Sequence, residues 1–298
     1  MKRAVSVSIG SSKRDKAVTV NLMGEEISIE RIGTDGDLKK AAKLFKEMDG
    51  IVDAFGLGGG DFGTEFAGKY FRYHNVAWIA DDAKKTPVVD GSGLRNTLEA
   101  RLAGFIEKEI GEHINPKTVL LPAASDRWGL TKSFIDAGYE CVFGELMFGL
   151  GIPIPLRSVK TLKIFASLLY PIAMRLPFSW IYPTGEKQTV RDPKFENHYQ
   201  WASVIAGDNN FIVRHMPDKL EGKVIVTNTT TPDDMELFKN AGVKYVVTGT
   251  PAIDGRSFGT NMMEAAFIAA SGKNRKLTDD ELNEMLDSLD FKPQIREL

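Results

Sequence analysis

The chain reads as an α/β protein of two domains, the C-terminal one a Rossmann-like, doubly wound parallel sheet carrying an apolar, basic insertion. Three observations predict this. A length of 298 residues favours two cores over one. From residue 117 onward, short apolar runs at 117–123, 139–144, 203–207, 223–228 and 243–249 alternate with gaps that mostly have room for a helix, which is the signature of strands joined by crossovers. Hydrophobic residues at 43% with 26% charged describe a soluble, globular chain.

Residues 4–10, 17–23 and 26–32 are short and β-branched, separated by Ser11-Ser12 and Gly24-Glu25, and they predict a meander. A helix over 37–48 follows. Strands are expected at 51–57, 76–80 and 87–90, then one long helix from Leu94 to Ile110. The domain boundary falls near 112–116, giving an N-terminal α/β domain at 1–116 as the candidate substrate domain. The Rossmann-like domain spans 117–272 with its insertion at 147–200, and 273–298 forms a helical tail. Within the second domain Thr231 reads as an N-cap, with Pro232 at the first helical position, Asp233-Asp234 in the first turn and Gly242 as the stop. Thr278-Asp-Asp-Glu281 is a capping box that opens the tail helix.

The strand, helix and strand at 117–145 carry the main functional signal. Glu145 stands about 20 residues after Ser125, the spacing at which an acid takes the ribose hydroxyls of a nucleotide. Pro122–Arg127 occupies the place of a Gly-x-Gly-x-x-Gly loop, and Asp126 would repel a diphosphate there. A plain crossover capped by Asp126 fits the same residues. On the nucleotide reading the cofactor contacts are Ser125, Asp126, Arg127, Glu145, Asn228 and Thr229, and the cofactor is NAD or NADP.

Three polar loops supply candidate substrate contacts. Asp61 ends the glycine-rich run 55–61, which lacks the Lys-Ser/Thr of a P-loop. Arg95 and Asn96 lie in 90–96, where helix-start amides suit a carboxylate or polyol, and Arg256 and Asn261 lie in 255–261. Each loop reads equally as a turn or cap. Lys187, leaving the insertion, is the candidate acid or base if an apolar cover dehydrates it, with Asp90 as its partner; a solvated turn lysine is the alternative. The four histidines show no metal-ligand spacing, and no metal is expected.

Between Glu145 and Glu186 there is no Asp or Glu, while Arg157, Lys160, Lys163 and Arg175 punctuate an apolar run. A cap over the site, a dimer face and a membrane-surface contact through 151–183 all fit this stretch. Pro171 favours two short helices over one. A small-molecule substrate and a homo-oligomer are expected, and a net charge of −2 gives no reason to expect nucleic acid. A single cysteine, Cys141, and the lack of a signal-peptide pattern point to the cytoplasm, with membrane association left open.

The runs Ser6–Ser12, Glu30–Asp35, Pro87–Gly93, Gly151–Arg157, Pro183–Gln188 and Gly255–Asn261 resemble bacterial proteins labelled quinate 5-dehydrogenase, over nearly the whole chain. The resemblance implies a two-domain, shikimate-dehydrogenase-like protein that oxidises a cyclic polyol carboxylate with a nicotinamide cofactor. The glycine-rich loop of such enzymes is not matched, nor are the local motifs of their catalytic lysine and aspartate. The leading expectation is therefore an NAD(P)-dependent oxidoreductase acting on an alcohol or ketone. The alternatives are a transferase binding S-adenosylmethionine, and a non-catalytic protein that handles lipid or a membrane surface.

Overall fold

The computed structural model describes residues 1–175, 191–250, 252–253, 256–257 and 259–298, with the backbone alone at 252, 253, 256 and 257. The chain is an α/β protein built on two sheets. The first takes β1 (Lys2–Ser8), β2 (Lys16–Leu22), β3 (Glu25–Gly33), β4 (Ala54–Gly58) and, after the small hairpin β5 (Gly63–Phe66) and β6 (Lys69–Arg72), β7 (Val88–Val89). Helix α1 (Leu38–Glu47) precedes β4, α2 (His74–Ala77) follows β6, and α3 (Ser92–Glu99) follows β7. The strand order is β2-β3-β1-β4-β7.

This sheet is not the meander that the sequence predicts. Strand β1 runs parallel to both β3 and β4, and only β2 pairs antiparallel, with β3. The β2–β3 turn has two residues, Met23 and Gly24, both at positive φ, the geometry whose twist matches paired strands. The expected strand at 76–80 is instead α2 and a tight helical turn at Trp78–Ala80. Tyr73, Val76 and Ala77 are buried at helical spacing while Trp78 is 42% exposed, so the run covers the sheet rather than joining it.

The second sheet takes β8 (Thr118–Leu121), β9 (Glu140–Phe143), β10 (Val204–Ala206), β11 (Val224–Thr227), β12 (Tyr245–Thr248) and β15 (Gln294–Glu297); β13 (Ala252–Ile253) and β14 (Arg256–Ser257) make a separate hairpin. Its helices are α4 (Leu102–Ile110), α5 (Trp128–Asp136), α6 (Val159–Ala173), α7 (Glu196–Trp201), α8 (Asn209–His215) and α9 (Pro232–Asn240). The order β9-β8-β10-β11-β12-β15 is parallel up to β12, and β15 closes the edge antiparallel. The expected 94–110 helix is two, broken where Arg101 bonds Asn283 and Asp287. Helix α6 continues through Pro171, forfeiting that residue's backbone bond, and ends two residues later at Ala173.

Helices α10 (Thr260–Ser271) and α11 (Asp279–Ser288) follow β12 in sequence but pack on the first sheet, where Met263, Ala266 and Phe267 join Ala4, Ile27 and Leu98 in one core. Residues 260–272 thus depart from the sequence-based assignment to the second domain. An almost wholly apolar helix must bury all round, and the glycines of β4 and the β7 turn admit it. A Cβ on Gly91 would stand 2.3 Å from the Asn261 nitrogen, and one on Gly56 2.7 Å from its oxygen. The chain therefore passes between the sheets after α3, after β12 and before β15.

Both sheets share one strand logic. In the parallel part of each, the first strand lies between the second and the third: β3-β1-β4-β7 and β9-β8-β10-β11-β12. The order reverses between β1 and β4 and between β8 and β10. Such switch points open a crevice at the carboxyl ends of the strands, where ligands of open α/β sheets bind.

Candidate functional site

The turn after β8 enters α5 beside α3. A Cβ on Gly129 would lie 2.6 Å from the Asn96 oxygen, so the two helices meet backbone to backbone. This sets Arg127 between the two units. Its guanidinium pairs with Glu99 of α3 and with Asp208 after β10, and Arg127 and Glu99 are 5% and 3% exposed. Asp208 also caps α8 through the amides of Asn210 and Phe211 and accepts from Asn228 Nδ2 at 3.1 Å. Asn228 Oδ1 in turn accepts from the Asn209 amide at 3.2 Å and the Thr227 hydroxyl at 3.0 Å. Burial opposes the charge on Arg127, yet Glu99 and Asp208 more than restore it, and its pKa is raised.

The Ser125 turn is closed by the protein itself. The Ser125 amide donates to Glu145 Oε1 at 2.6 Å, and the Tyr170 hydroxyl of α6 donates to Ser125 Oγ at 2.6 Å. Ser125 is 3% exposed. Burial pushes Glu145 up to about 7, against the hydrogen bonds from Ser125 that favour its charge. Glu145 opens a π-helical turn, Glu145–Gly149, that aims its carboxylate back at the strand end. The spacing is that of a nucleotide-binding acid, and here one carboxylate oxygen accepts from the protein's own turn. The polar groups of Arg127 and Asn228 likewise hold α3, β10 and β11 together. Thr229 is exposed and lines a pocket of about 70 Å³ with Thr230, Gln294 and Arg296.

On the other wall of the crevice, Asp90 is 8% exposed and both its oxygens are engaged, one by the Phe62 amide at 2.8 Å and one by the amide and hydroxyl of Ser92 at 3.0 and 2.6 Å. It clamps the β4 loop to the start of α3. Asn261 donates to the Ser6 hydroxyl at 2.6 Å, seating α10 rather than a substrate. Asn96 meets Gly129 through its backbone. Lys187 and the side chain of Arg256 lie outside the described residues.

Asp61 and Arg95 are different. They pair at 3.4 Å with side chains 21% and 13% exposed. Burial pushes Asp61 up to about 6, opposed by Arg95 and reinforced by the charges of Asp90 and Asp126. Burial likewise opposes the Arg95 charge, but Asp61 and Asp126 hold its pKa well above the usual value. Asp126 is half-buried on the facing wall. The Nε groups of Arg95 and Arg127 are both buried without a partner. The aromatic edge of this crevice is Phe66 of β5 against Trp128 of α5, ring centroids 4.8 Å apart.

Residues 93–298, more than half of the chain, match the family model described as Domain of unknown function (DUF8754). The chain belongs to the DUF8754 family. Residues 3–90 match a second model, Domain of unknown function (DUF8753). The two matches meet at the turn between Asp90 and α3, so the crevice of this DUF8754 member draws on both. No curated protein matches the chain. Similar solved structures include a putative malic enzyme (malate oxidoreductase), at 15% identity and a TM-score of 0.41, covering 97% of this chain and 76% of that one. A galactofuranose binding protein is similar at 15% identity and a TM-score of 0.38, covering 96% and 97%. An NAD-dependent malic enzyme from Thermotoga maritima is similar at 12% identity and a TM-score of 0.37, covering 97% and 84%.

Among the described residues no group of three or more His, Cys, Asp or Glu side chains is arranged to hold a metal. Sequence reasoning did not single out Glu99, Tyr170 or Glu264. Glu99 follows Arg95 by one helical turn, a spacing that pairs side chains. Glu264 is the lone acid in the apolar α10; it is 4% exposed, caps the Leu94 amide of α3 at 3.2 Å, and burial pushes it up to about 7. A single charge inside an apolar helix was the readable signal.

Proposed function

We propose that this protein captures a small polyhydroxylated molecule in the crevice between its two sheets, with Asp61 and Arg95 as the primary contacts and Asp126 facing them. The observation that carries this reading is the Asp61–Arg95 pair, partly open and incompletely bonded where the carboxyl ends of both sheets converge. A carboxylate that accepts and a guanidinium that donates, side by side, match the paired donors and acceptors of neighbouring hydroxyls. The ring of Trp128 gives an apolar wall of the kind such sites use. Three chain passages between the units supply a hinge on which the crevice opens and closes.

Thermal shift with a panel of polyols and cyclic polyol carboxylates, quinate and shikimate included, tests the reading, because a ligand that binds only the native state raises stability. A stabilising compound whose effect vanishes in Arg95→Met supports it. A panel without effect, or an effect untouched by Arg95→Met, overturns it.

Hydride transfer from an alcohol to NAD or NADP is the second reading, favoured by the position of Ser125 and Asp126 at the β8–β10 switch point. It requires Glu145 and Tyr170 to release the turn they hold. Calorimetric titration with both nucleotides decides it, and absence of heat from either, with polyols present, removes it.

A further inference from the structure

The helix of the insertion presents a face that the described residues leave uncovered. Along α6, Leu162 and Ala166 are 0% and 4% exposed and anchor one side to the second core, whereas Ile164, Leu168 and Ile172 are 51%, 65% and 64% exposed. These three are spaced by four and form one stripe on the opposite side. Lys160 stands in the same row and Arg175 just past the helix end, both exposed, while Lys163 reaches over the Trp128 ring, 5.9 Å from its centroid. The apolar loop at 150–154 adds three more exposed aliphatic side chains immediately before the helix. No acid occurs from 146 to 185, although the chain as a whole carries a charge of −2.

We infer that the exposed face of α6 docks on an anionic lipid surface, with Ile164, Leu168 and Ile172 seated in the interface and Lys160 and Arg175 meeting the headgroups. An apolar stripe bordered by cations suits an interfacial helix. No helix among the described residues is long and apolar enough to cross a membrane, so the contact lies in the plane of the surface. A second copy of the chain fits less well. A two-fold interface apposes the same patch on both partners, which would bring these cations against each other. The stripe also lacks the aromatic and Met side chains that enrich protein interfaces. Arg157 is already paired with Glu140 at 2.9 Å and contributes less. The crevice and its ligand play no part in this inference.

Flotation of the full chain with vesicles of phosphatidylcholine alone, and of equal parts phosphatidylcholine and phosphatidylglycerol, tests it. The chain is expected to float with the anionic vesicles, to remain behind with the neutral ones and to be released by high salt. Leu168→Asp, at a solvent-facing position that leaves the core intact, is expected to abolish flotation. Lys160→Glu is expected to lower the partition roughly thirtyfold, as the reversal of one interfacial charge does. Equal behaviour on both vesicles, or no flotation at all, overturns the inference. So does a dimer in sedimentation that Leu168→Asp dissociates without any change in flotation.

Discussion

The two switch points of this molecule share a strand order and differ in what fills them. Between β8 and β10, the guanidinium of Arg127 is locked to Glu99 and Asp208, and the Ser125 amide is held by Glu145 under the Tyr170 hydroxyl. Those bonds hold the turn to the protein itself, although Glu99 Oε2, Glu145 Oε2 and Arg127 Nε stay buried and unbonded among the described residues. Beside the β1–β4 switch point, glycines 58 to 60 lead to Asp61, whose partner Arg95 keeps an unbonded Nε and partial exposure. One crevice wall is therefore structural and the other is available. The same residue types, acid and arginine, serve both walls, and burial distinguishes them.

Arg127→Met should be the most damaging change on the structural wall. It leaves Glu99 and Asp208 facing each other without their cation, and broken buried pairs cost about 3–5 kcal/mol. Denaturant unfolding measures this, and a loss near that of an exposed pair would erase the contrast between the walls.

Glu145→Gln acts in the opposite direction. The folded pKa of Glu145, about 7, lies above the ordinary 4.5, so protonation favours the native state. That contribution is complete below the unfolded value and is lost as pH rises through about 7. At about pH 8 the wild type holds a buried charge that the amide avoids, a gain on the order of 2–3 kcal/mol for the variant that shrinks toward zero near pH 5. Calorimetric melting across this range is the measurement. Equal gains at both ends would mean that the folded pKa is not raised and the carboxyl ionises in the fold as it does in the unfolded chain. Asp61 and Glu264, pushed up to about 6 and about 7, tilt the wild type the same way, toward greater stability in mild acid.

Much of the fold was legible in the sequence, and the failures share a cause. The Thr231 cap and the Thr278–Glu281 capping box form as written because a cap is local, and Asp234 adds the reciprocal bond of a second box. The parallel strands of the second sheet were legible because buried parallel strands read as short apolar runs, whereas the antiparallel edge strand β15 lies in the stretch read as a helical tail. The run 76–80 was not, since five apolar residues fit a strand or a helical turn until their tertiary neighbours choose. The parallel pairing of β1 with β3 and the break at Arg101 were hidden because each depends on a partner far along the chain. The bonding at the site was hidden similarly. Glu145 has the spacing of a nucleotide-binding acid, but spacing does not fix where a side chain points, and the π-helical turn that redirects it has no local signature in the residues. The clamp that Asp90 forms was hidden for the same reason.

Tyr170→Phe sharpens the structural wall on a finer scale. Loss of the hydroxyl that donates to Ser125 should cost about 1 kcal/mol, as a single hydrogen bond does. It should leave the apolar contacts of the ring with Phe66 and Phe71 in place. If the second reading is right, the same change loosens the Ser125 turn and strengthens nucleotide binding, so calorimetry with NAD and NADP on this variant separates the readings.

Arg95→Met is the change on which the two walls should disagree most. Its pair with Asp61 is partly exposed, and Asp61, already pushed up to about 6, can take a proton once its cation is gone. The stability cost should then stay below that of Arg127→Met, which strands two carboxylates instead of one. Stabilisation by a polyol should nevertheless be lost entirely, because the guanidinium donors that hold the hydroxyls are absent. A variant that unfolds as readily as Arg127→Met would instead place Arg95 with the structural wall, and the molecule would have two closed switch points rather than one open one.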